Sequence, residues 1–218
     1  MAAASTACQS VAPGVQQGAA ACDPRIVRSR AALREALISL IEERGLDSVT
    51  VNDLCQRAGL NRGTFYNHFQ DKENLLNAFE DEFLEGLSSA RDRLSNLEVP
   101  DLLAARLAKR PLPQLVELFN YLRSEGDLLH ALLGPRGDAR FGPRLREAVC
   151  EGFVRALLHE RYRSDTSAFV DYYASFFGGA YLGVICRWVE MGMRESSEEM
   201  AIISMRLMFM KPGEAIKM

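Results

Sequence analysis

One segment of the chain, GLNRGTFYNHFQDK at 59–72, combines side chains that can hydrogen-bond the edges of DNA base pairs. An arginine forks onto guanine, an asparagine amide pairs with adenine, and a threonine methyl group contacts the methyl group of thymine. A glycine removes a side chain where a helix backbone comes closest to the bases. The segment therefore predicts that Arg62, Gly63, Thr64 and Asn67 read bases in the major groove.

A second set of residues suits the sugar-phosphate backbone of DNA. Tyr66 and His68 can donate hydrogen bonds to phosphate oxygens. Thr50 and Lys72 lie at two predicted helix starts, where the helix dipole favours anions. Taken singly, Tyr66 equally suits a half-buried core position, and His68 and Lys72 suit solvated positions. The combination favours phosphate contacts by Thr50, Tyr66, His68 and Lys72.

Two short helices joined by a tight turn would present these side chains. Thr50 is a good N-cap for the first helix, and the apolar residues that follow it are spaced for one helix face: Val51, Leu54, Cys55 and Ala58. Gly59 suits a turn residue with a positive φ. Asn61 suits the N-cap of a second helix that begins near Arg62.

The inward face of that second helix is predicted from two phenylalanines. Phe65 and Phe69 are one helical turn apart, so both can reach the core while the polar residues point away from it. Two short helices with a glycine turn between them form a helix-turn-helix unit. The unit needs a further helix to complete its core.

The preceding segment supplies that helix. Asp23 and Pro24 suit an N-cap and the first helical position, and Gly45 ends the pattern. One face is predicted to be buried through Ile26, Leu33, Leu37, Leu40 and Ile41. Residues 1–22 are rich in Ala, Ser, Gln and Gly and are predicted to be a disordered extension.

The remainder of the chain is also predicted to be helical. Asp71 begins a long helix that runs to about Leu97, and Pro100, Pro111 and Pro113 interrupt the stretch after it. Further helices are predicted over 113–124, 126–133, 140–162, 167–192 and 196–210. Because no segment shows sustained alternation of apolar and polar residues, the predicted fold is all-α.

The segment TVNDLCQRAGLNRGTFYNHFQDKENLL resembles the DNA-binding signature of the tetracycline-repressor (TetR-like) family of transcriptional regulators. The resemblance covers about residues 25 to 80. It implies phosphate contacts by Thr50, Tyr66, His68 and Lys72, and a groove-facing role for Arg62, Gly63, Thr64 and Asn67. Cys55, where alanine is frequent, and Asn61, where serine is common, depart mildly from the family pattern.

The resemblance also implies the domain organisation. A helix-turn-helix DNA-binding domain over 23–70 is expected to precede a larger helical domain over 71–218 that forms dimers and often binds a small effector in this family. The stretch FFGGAYLGVICRWVEMGM resembles, more weakly, the carboxy-terminal domain of one branch of these regulators. Repression is the commoner outcome in the family, with activation as the alternative.

The residues themselves also predict a dimer. The 167–192 helix carries apolar and aromatic side chains around most of its circumference, so one face can serve its own core while the other needs a partner. Gly179 and Gly183 would allow close approach of helices. The predicted interface comprises Phe176, Gly179, Gly183, Ile203 and Leu207. The alternative is that both faces are buried within one subunit.

The effector itself is unknown from the sequence. Phe119, Tyr121, Phe153 and Tyr173 could line a pocket for a small apolar molecule, although each suits core packing better. Methionines near the carboxy terminus (Met205, Met208 and Met210) suit a core or an interface better than a metal site. We expect no cofactor and no metal.

Other functional classes fit poorly. The chain has no GxSxG, no P-loop, and a His159-Glu160 pair without the second histidine of HExxH, so an enzyme is not expected. A helical protein-interaction module would require a damaged recognition helix. The predicted partners are double-stranded DNA, a second copy of the chain and a small effector.

A cytoplasmic location is predicted from composition. The five cysteines are scattered without a CxxC pair, which favours reduced thiols over disulfides. No span is expected to reach the roughly 18 apolar residues that cross a membrane, and no basic and apolar leader stands at the start. The net charge is −3, but the segment from Arg25 to Lys72 carries a small basic excess, which favours an anionic partner there.

Overall fold

The computed structural model describes residues 24–94, 99–108, 110–149 and 168–208. These residues form an all-α fold. The helices are α1 (Pro24–Arg44), α2 (Val51–Ala58), α3 (Arg62–Tyr66), α4 (Lys72–Leu94), α5 (Val99–Leu107), α6 (Pro113–Ser124), α7 (Gly126–Leu133), α8 (Phe141–Val149), α9 (Ala168–Glu190) and α10 (Ser197–Met208). The predicted extension 1–22 and the proposed cap Asp23 lie outside the described residues.

Helices α1, α2 and α3 enclose the amino-terminal core. Leu33, Leu37 and Ile41 of α1 are fully buried together with Leu54 of α2 and Phe65 of α3. This confirms the predicted three-helix unit. Sequence periodicity places these residues on one side of each helix, and burying the apolar face is the main source of stability for helices this short.

The prediction that Ile26 is buried is wrong. Its side chain is 38 % exposed, and burial on α1 begins only at Leu33. The eight-residue α2 covers the later turns of a 21-residue helix and cannot reach its first turn. The apolar residue at the start of α1 therefore faces solvent.

The carboxy-terminal helices pack around aromatic side chains. Helix α4 packs on α6 and α8, α9 packs on α7 and α8, and α10 packs on α6. Phe119 meets Trp188 edge to face with ring centroids 5.5 Å apart, and Phe83 meets Phe141 in the same way at 5.6 Å. One continuous apolar cluster extends from Leu33 to Met205 and includes both regions of the chain.

The aromatic residues considered for an effector pocket are mostly engaged in packing. Phe119 is buried against Trp188, and Tyr121 stacks on Phe83. Tyr173 lies 4.5 Å from Phe177 between ring centroids and is partly exposed. Phe153 lies outside the described residues. Of the methionines, Met205 is buried, Met208 packs against the core, and Met210 also lies outside the described range.

Most helix boundaries agree with the sequence expectations. Helices α6 and α7 match the predicted ranges to the residue, and the end of α9 and the start of α10 match within two residues. The predicted start of α9 at 167 and the predicted end of α10 at 210 lie outside the described residues. Of the predicted helix over 140–162 the structure describes α8, and the rest lies outside the described residues; the same holds for the end of α4 beyond Leu94.

Helix α5 differs from the sequence expectation that Pro100 interrupts the chain. Pro100 is the second residue of α5. A proline in the first turn of a helix lacks only an N–H group that has no partner within the helix, so it starts a helix as readily as it ends one.

Helix α9 corrects the expectation about membrane-crossing spans. Ala168–Glu190 is 23 residues long and apolar enough, by length and composition, to cross a bilayer. Such a helix also occurs in the cores of soluble proteins. Here Ile185 and Trp188 are buried in the apolar cluster and Val170 and Ala174 are also buried, while Phe169, Tyr172 and Phe176 are exposed.

Tyr121 fits against a glycine of α4, which gives a first prediction. Its hydroxyl donates a hydrogen bond to the carbonyl oxygen of Phe83 at 2.8 Å. A Cβ atom at Gly86 would lie 2.2 Å from that hydroxyl oxygen and 2.5 Å from the ring carbon that bears it. Gly86→Ala should therefore displace Tyr121 and lower the free energy of unfolding by about 1–3 kcal/mol, as overpacking typically does.

Urea denaturation followed by circular dichroism measures this change. Gly142→Ala on α8 is the matched control, because a Cβ atom there meets nothing within 4 Å. The control should leave stability unchanged or slightly raised. Equal stability of the Gly86 variant and the wild type would show that Tyr121 can move without cost.

Candidate DNA-binding site

The short helix α3 is held at its start by Asn61. The Asn61 side-chain oxygen accepts a hydrogen bond from the Thr64 backbone N–H at 2.7 Å, which makes Asn61 the N-cap as predicted. Gly59 ends α2 with φ of 66°, in the left-handed region that favours glycine. The Asn61 cap and the left-handed conformation of Gly59 set the angle between α2 and α3 and confirm the predicted turn.

Two phenylalanines fix which side of α3 faces outward. Phe65 and Phe69 are both buried, with ring centroids 5.9 Å apart. Tyr66 packs edge to face on Phe65 at 5.5 Å but is 57 % exposed, so the half-buried interpretation of Tyr66 is wrong. Its hydroxyl can reach solvent or a DNA backbone.

The four predicted base-reading residues lie opposite this buried face or at its edge. Arg62, Gly63 and Asn67 are exposed, and Thr64 is half-buried. The Thr64 hydroxyl donates to the Asn61 side-chain oxygen at 3.1 Å, so the same cap that starts the helix also holds this side chain. The polar surface of α3 is therefore ordered by its own N-cap.

Gly63 has a structural role that the sequence did not reveal. A Cβ atom there would lie 3.2 Å from the capping oxygen of Asn61. That distance is tighter than ordinary van der Waals contact. A side chain at this position would press on the Asn61 cap of α3, and glycine avoids that contact.

The predicted phosphate contacts Thr50 and Lys72 both have partners within the protein. The Thr50 hydroxyl accepts from the Asp53 backbone N–H at 3.2 Å, and the Asp53 carboxylate accepts from the Thr50 backbone N–H at 2.9 Å, which forms a capping box. Lys72 is half-buried and its Nζ donates to the carbonyl oxygen of Leu46 at 3.0 Å. His68 is half-buried beside Phe69.

Sequence reasoning missed Asp53, although its signal was present. The pattern Thr50-x-x-Asp53 is that of a capping box, and only its threonine was interpreted. Arg44 pairs with Asp53 at 2.7 Å. The hydrogen bond from Arg44, followed by those from Thr50, lowers the pKa of Asp53 to about 2, so this carboxylate stays ionised at neutral pH.

Asn52 was also missed, and no local pattern would have found it. Its side-chain oxygen accepts a hydrogen bond from Arg62 Nη2 at 3.1 Å, which connects the first turn of α2 to the first residue of α3. Two other arginines of this region are paired with carboxylates, Arg44 with Asp53 and Arg57 with Glu43. The contact of Arg62 is with a neutral amide.

Cys55 occupies a core position of α2. It is buried, and burial raises the pKa of its thiol. A buried thiol with a raised pKa is a poor nucleophile, so Cys55 acts as a small apolar side chain. Its departure from the family pattern leaves the packing of α2 intact.

Two family models match the chain. Residues 33–79 match the model described as bacterial regulatory proteins, tetR family, and residues 109–209 match the model described as transcriptional regulator C-terminal region. Together they cover more than half of the chain. The first spans α2, α3 and most of α1, and the second spans the helices from α6 to α10.

Individual proteins agree with these matches. The chain is 24 % identical over 190 residues to the uncharacterized HTH-type transcriptional regulator YxbF of Bacillus subtilis, covering 87 % of this chain and 47 % of YxbF. It is 31 % identical over 124 residues to the HTH-type transcriptional repressor Rv1474c of Mycobacterium tuberculosis, covering 56 % of this chain and 63 % of that protein. The chain thus spans about half of YxbF and under two thirds of Rv1474c.

A solved structure confirms the fold. The putative TetR-family transcriptional regulator from Syntrophomonas wolfei superposes with a TM-score of 0.58 at 17 % identity, covering 83 % of this chain and 93 % of that one. At this identity the likeness concerns the fold alone. The two family matches, together with the helix-turn-helix geometry, show that the chain belongs to the TetR-like family of transcriptional regulators.

Proposed function

We propose that the protein is a repressor that binds a palindromic operator as a homodimer and is released by a small apolar effector. The observation that carries the proposal is the outer side of α3 and of the turn that follows it, where Arg62 and the C-cap residue Asn67 are exposed while Phe65 and Phe69 are buried on the other side. An exposed arginine and an exposed asparagine one or two turns apart suit base edges in a major groove.

The exposed side of α9 supports dimer formation. Phe176 is 70 % exposed, and Phe169 and Tyr172 are exposed more fully. Cβ atoms at Gly179 and Gly183 would meet nothing within 4 Å, so a second helix could approach the backbone there. A continuous apolar strip of this kind favours a protein partner.

The terminal helix extends this proposed interface. Leu207 of α10 is exposed, and Ile203 is half-buried against the core. A two-fold axis would place α9 and α10 of one subunit against the same helices of the other. Two copies of α3 about 34 Å apart would then read two half-sites together. One short helix contacts too few base pairs to distinguish its site from the rest of a genome.

A chain of hydrogen bonds supports control by the carboxy-terminal helices. The Leu46 backbone N–H donates to the carbonyl oxygen of Arg136 at 2.9 Å, and the Arg136 side chain donates to the carbonyl oxygen of Glu43 at 3.2 Å. Leu46 in turn accepts from Lys72 at the start of α4. Movement of the loop between α7 and α8 would therefore be transmitted through Leu46 to residues beside α3.

A polar atom in the carboxy-terminal domain suits an effector. The Tyr181 hydroxyl of α9 is buried and has no hydrogen-bond partner among the described residues, and burial raises its pKa to about 12. A neutral, unpaired donor in an apolar surrounding would favour a mostly apolar molecule that carries one acceptor.

Loss of base reading is the direct test of the proposed site. In vitro selection from random DNA with the full chain should yield a palindromic operator. Arg62→Ala and Asn67→Ala should each weaken operator binding by about 1–3 kcal/mol and leave binding to random DNA nearly unchanged. Fluorescence anisotropy on both DNAs measures the difference.

Matched controls for these variants lie on the exposed surface elsewhere. Arg146→Ala on α8 and Asn120→Ala on α6 remove the same groups from exposed positions and should leave operator binding unchanged. Equal losses on operator and random DNA would make Arg62 or Asn67 a phosphate contact. Failure of the wild type to select any DNA would favour the protein-interaction module.

An activator would bind the operator in the same way and would differ from a repressor only in its effect on transcription. A transcription assay with the selected operator placed at a promoter should show less transcript when the protein is added, and more transcript would identify an activator. We place the protein in the cytoplasm, where its DNA target lies.

A further inference from the structure

The contact between Asn52 and Arg62 connects α2 and α3, the two helices of the helix-turn-helix, which we call the reading head. Asn52 is the second residue of α2, Arg62 is the first residue of α3, and both side chains are exposed. The Arg62 guanidinium donates one hydrogen bond, from Nη2 to the Asn52 Oδ1 atom at 3.1 Å. This contact lies on the surface that carries the candidate base-reading residues.

The chemistry of the partner decides what Arg62 can still do. Arg30, Arg44 and Arg57 each pair with a carboxylate, which offsets their charge. An amide oxygen orients the Arg62 guanidinium but leaves its full positive charge. Among the described residues Arg62 has no other hydrogen-bond partner, so four of its five N–H groups stay available there, enough for a two-pronged contact with a guanine edge.

Asn52 is not required to form α2. The start of α2 is satisfied by the capping box between Thr50 and Asp53. Asparagine has a low helix propensity, so Asn52 does not favour α2 by propensity. It does not cap α2 either. No packing role explains it either, because the side chain is exposed.

We propose that Asn52 is a positioning and specificity-determining residue, which holds the Arg62 guanidinium in the orientation that reads a base. The inference rests on the proposed DNA-binding function. A long arginine side chain loses much rotamer freedom when it docks. A neutral partner that orders the arginine beforehand reduces that loss. It also increases discrimination between bases, because an arginine held in one orientation cannot adapt to a different base.

Two variants separate positioning from direct contact. Asn52→Ala removes the amide oxygen and should relax the selected base preference about 3- to 10-fold at a single position of each half-site, which corresponds to one lost hydrogen bond. In an Arg62→Ala background, Asn52→Ala should have no further effect on that preference. Selection from random DNA with full-length variants, followed by anisotropy on single-base operator variants, gives these values.

Asn52→Asp tests the importance of the neutral partner. The carboxylate keeps the geometry but pairs with Arg62 and faces the DNA with a negative charge. This variant should weaken binding on every sequence and make the dependence of log K on log salt shallower. Asn120→Ala is the neutral control, and thermal unfolding of each variant should stay within a few degrees of the wild type.

Each remaining result decides between the models. Additive effects of Asn52→Ala and Arg62→Ala would show that Asn52 contacts DNA independently of Arg62. An unchanged base preference in Asn52→Ala would show that Asn52 has no role in base reading. Either result would overturn the proposal. A wild-type protein that selects no DNA would instead overturn the proposed function, which is a separate outcome.

Discussion

Replacing Arg144 with alanine is expected to lower the free energy of unfolding by about 3–5 kcal/mol, because it leaves the buried carboxylate of Glu80 without its cation. Glu80 of α4 is 1 % exposed, and Arg144 of α8 forms its ion pair. This pair crosses the packed interface between α4 and α8. A buried charge that loses its ion-pair partner carries most of the cost of desolvation uncompensated.

The surroundings of Glu80 make this cost large. Its second carboxylate oxygen has no hydrogen-bond partner among the described residues. Burial raises the pKa of Glu80, and the nearby Asp138 carboxylate raises it further, while Arg144 and Arg140 lower it. Removing Arg144 removes the larger of these two attractions and raises the pKa of Glu80 further.

The stability loss in Arg144→Ala should depend on pH. An acid whose pKa is higher in the folded state than in the unfolded chain binds its proton more tightly when folded. Its folded form is therefore favoured at low pH and loses stability as pH rises through the folded pKa. The deficit of Arg144→Ala should be small near about pH 4 and grow toward about pH 8. Urea denaturation at both values measures it.

Matched variants isolate the buried pair from the surface pair. Arg144 also pairs with Asp81, which is exposed. Asp81→Asn should therefore cost less than about 1 kcal/mol. Glu80→Gln in the Arg144→Ala background should recover most of the stability and remove the pH dependence. A deficit that is independent of pH would show that Arg144 acts by packing alone.

The helix-turn-helix could be predicted because its determinants are local. Thr50, Asn61 and Gly59 act within three or four residues of themselves, as caps or as a turn, and these roles can be read from neighbouring residue types. Phe65 and Phe69 have the spacing of one helix face, so the outward side of α3 follows from the sequence alone, and both residues are buried.

Contacts between distant segments could not be predicted in this way. Arg62 meets Asn52, Arg144 meets Glu80, and Leu46 meets Arg136 across many intervening residues. A charged or polar side chain carries no mark in the sequence that identifies its partner. Local rules also misjudged Ile26, because burial depends on how far the neighbouring helix extends.

Helix α9 shows the same limit for the proposed interface. The apolar residues around its circumference predict that two sides need cover, but not which side the subunit itself provides. The structure buries Val170, Ile185 and Trp188 and leaves Phe176 exposed. The assignment of the exposed side to a second copy therefore stays a prediction, and one substitution tests it.

Gly183→Glu is expected to abolish the dimer. In the single chain a Cβ atom at Gly183 meets nothing within 4 Å, so the glutamate has open space and replaces a poor helix residue with a better one. Between two copies the same carboxylate would be buried without a partner, and the two-fold axis would bury it twice. Association should weaken by several kcal/mol while each subunit stays folded.

Sedimentation velocity measures the association, and circular dichroism checks the fold. Gly142→Glu on α8 is the matched control, since a Cβ atom there also meets open space but lies on a different helix. The control should remain dimeric. A Gly183→Glu protein that stays dimeric would place the interface on another surface.

Operator binding should fail together with the dimer. In the proposed mode of binding a single α3 would read only a few base pairs, so its affinity for a half-site would be close to its affinity for random DNA. A dimer would add the second half-site and multiply the discrimination of the first. Gly183→Glu should therefore bind the palindromic operator no better than an isolated half-site, although Arg62, Asn67 and the rest of the reading head are unchanged. If the variant is monomeric and still prefers the full palindrome, the requirement for a dimer is wrong.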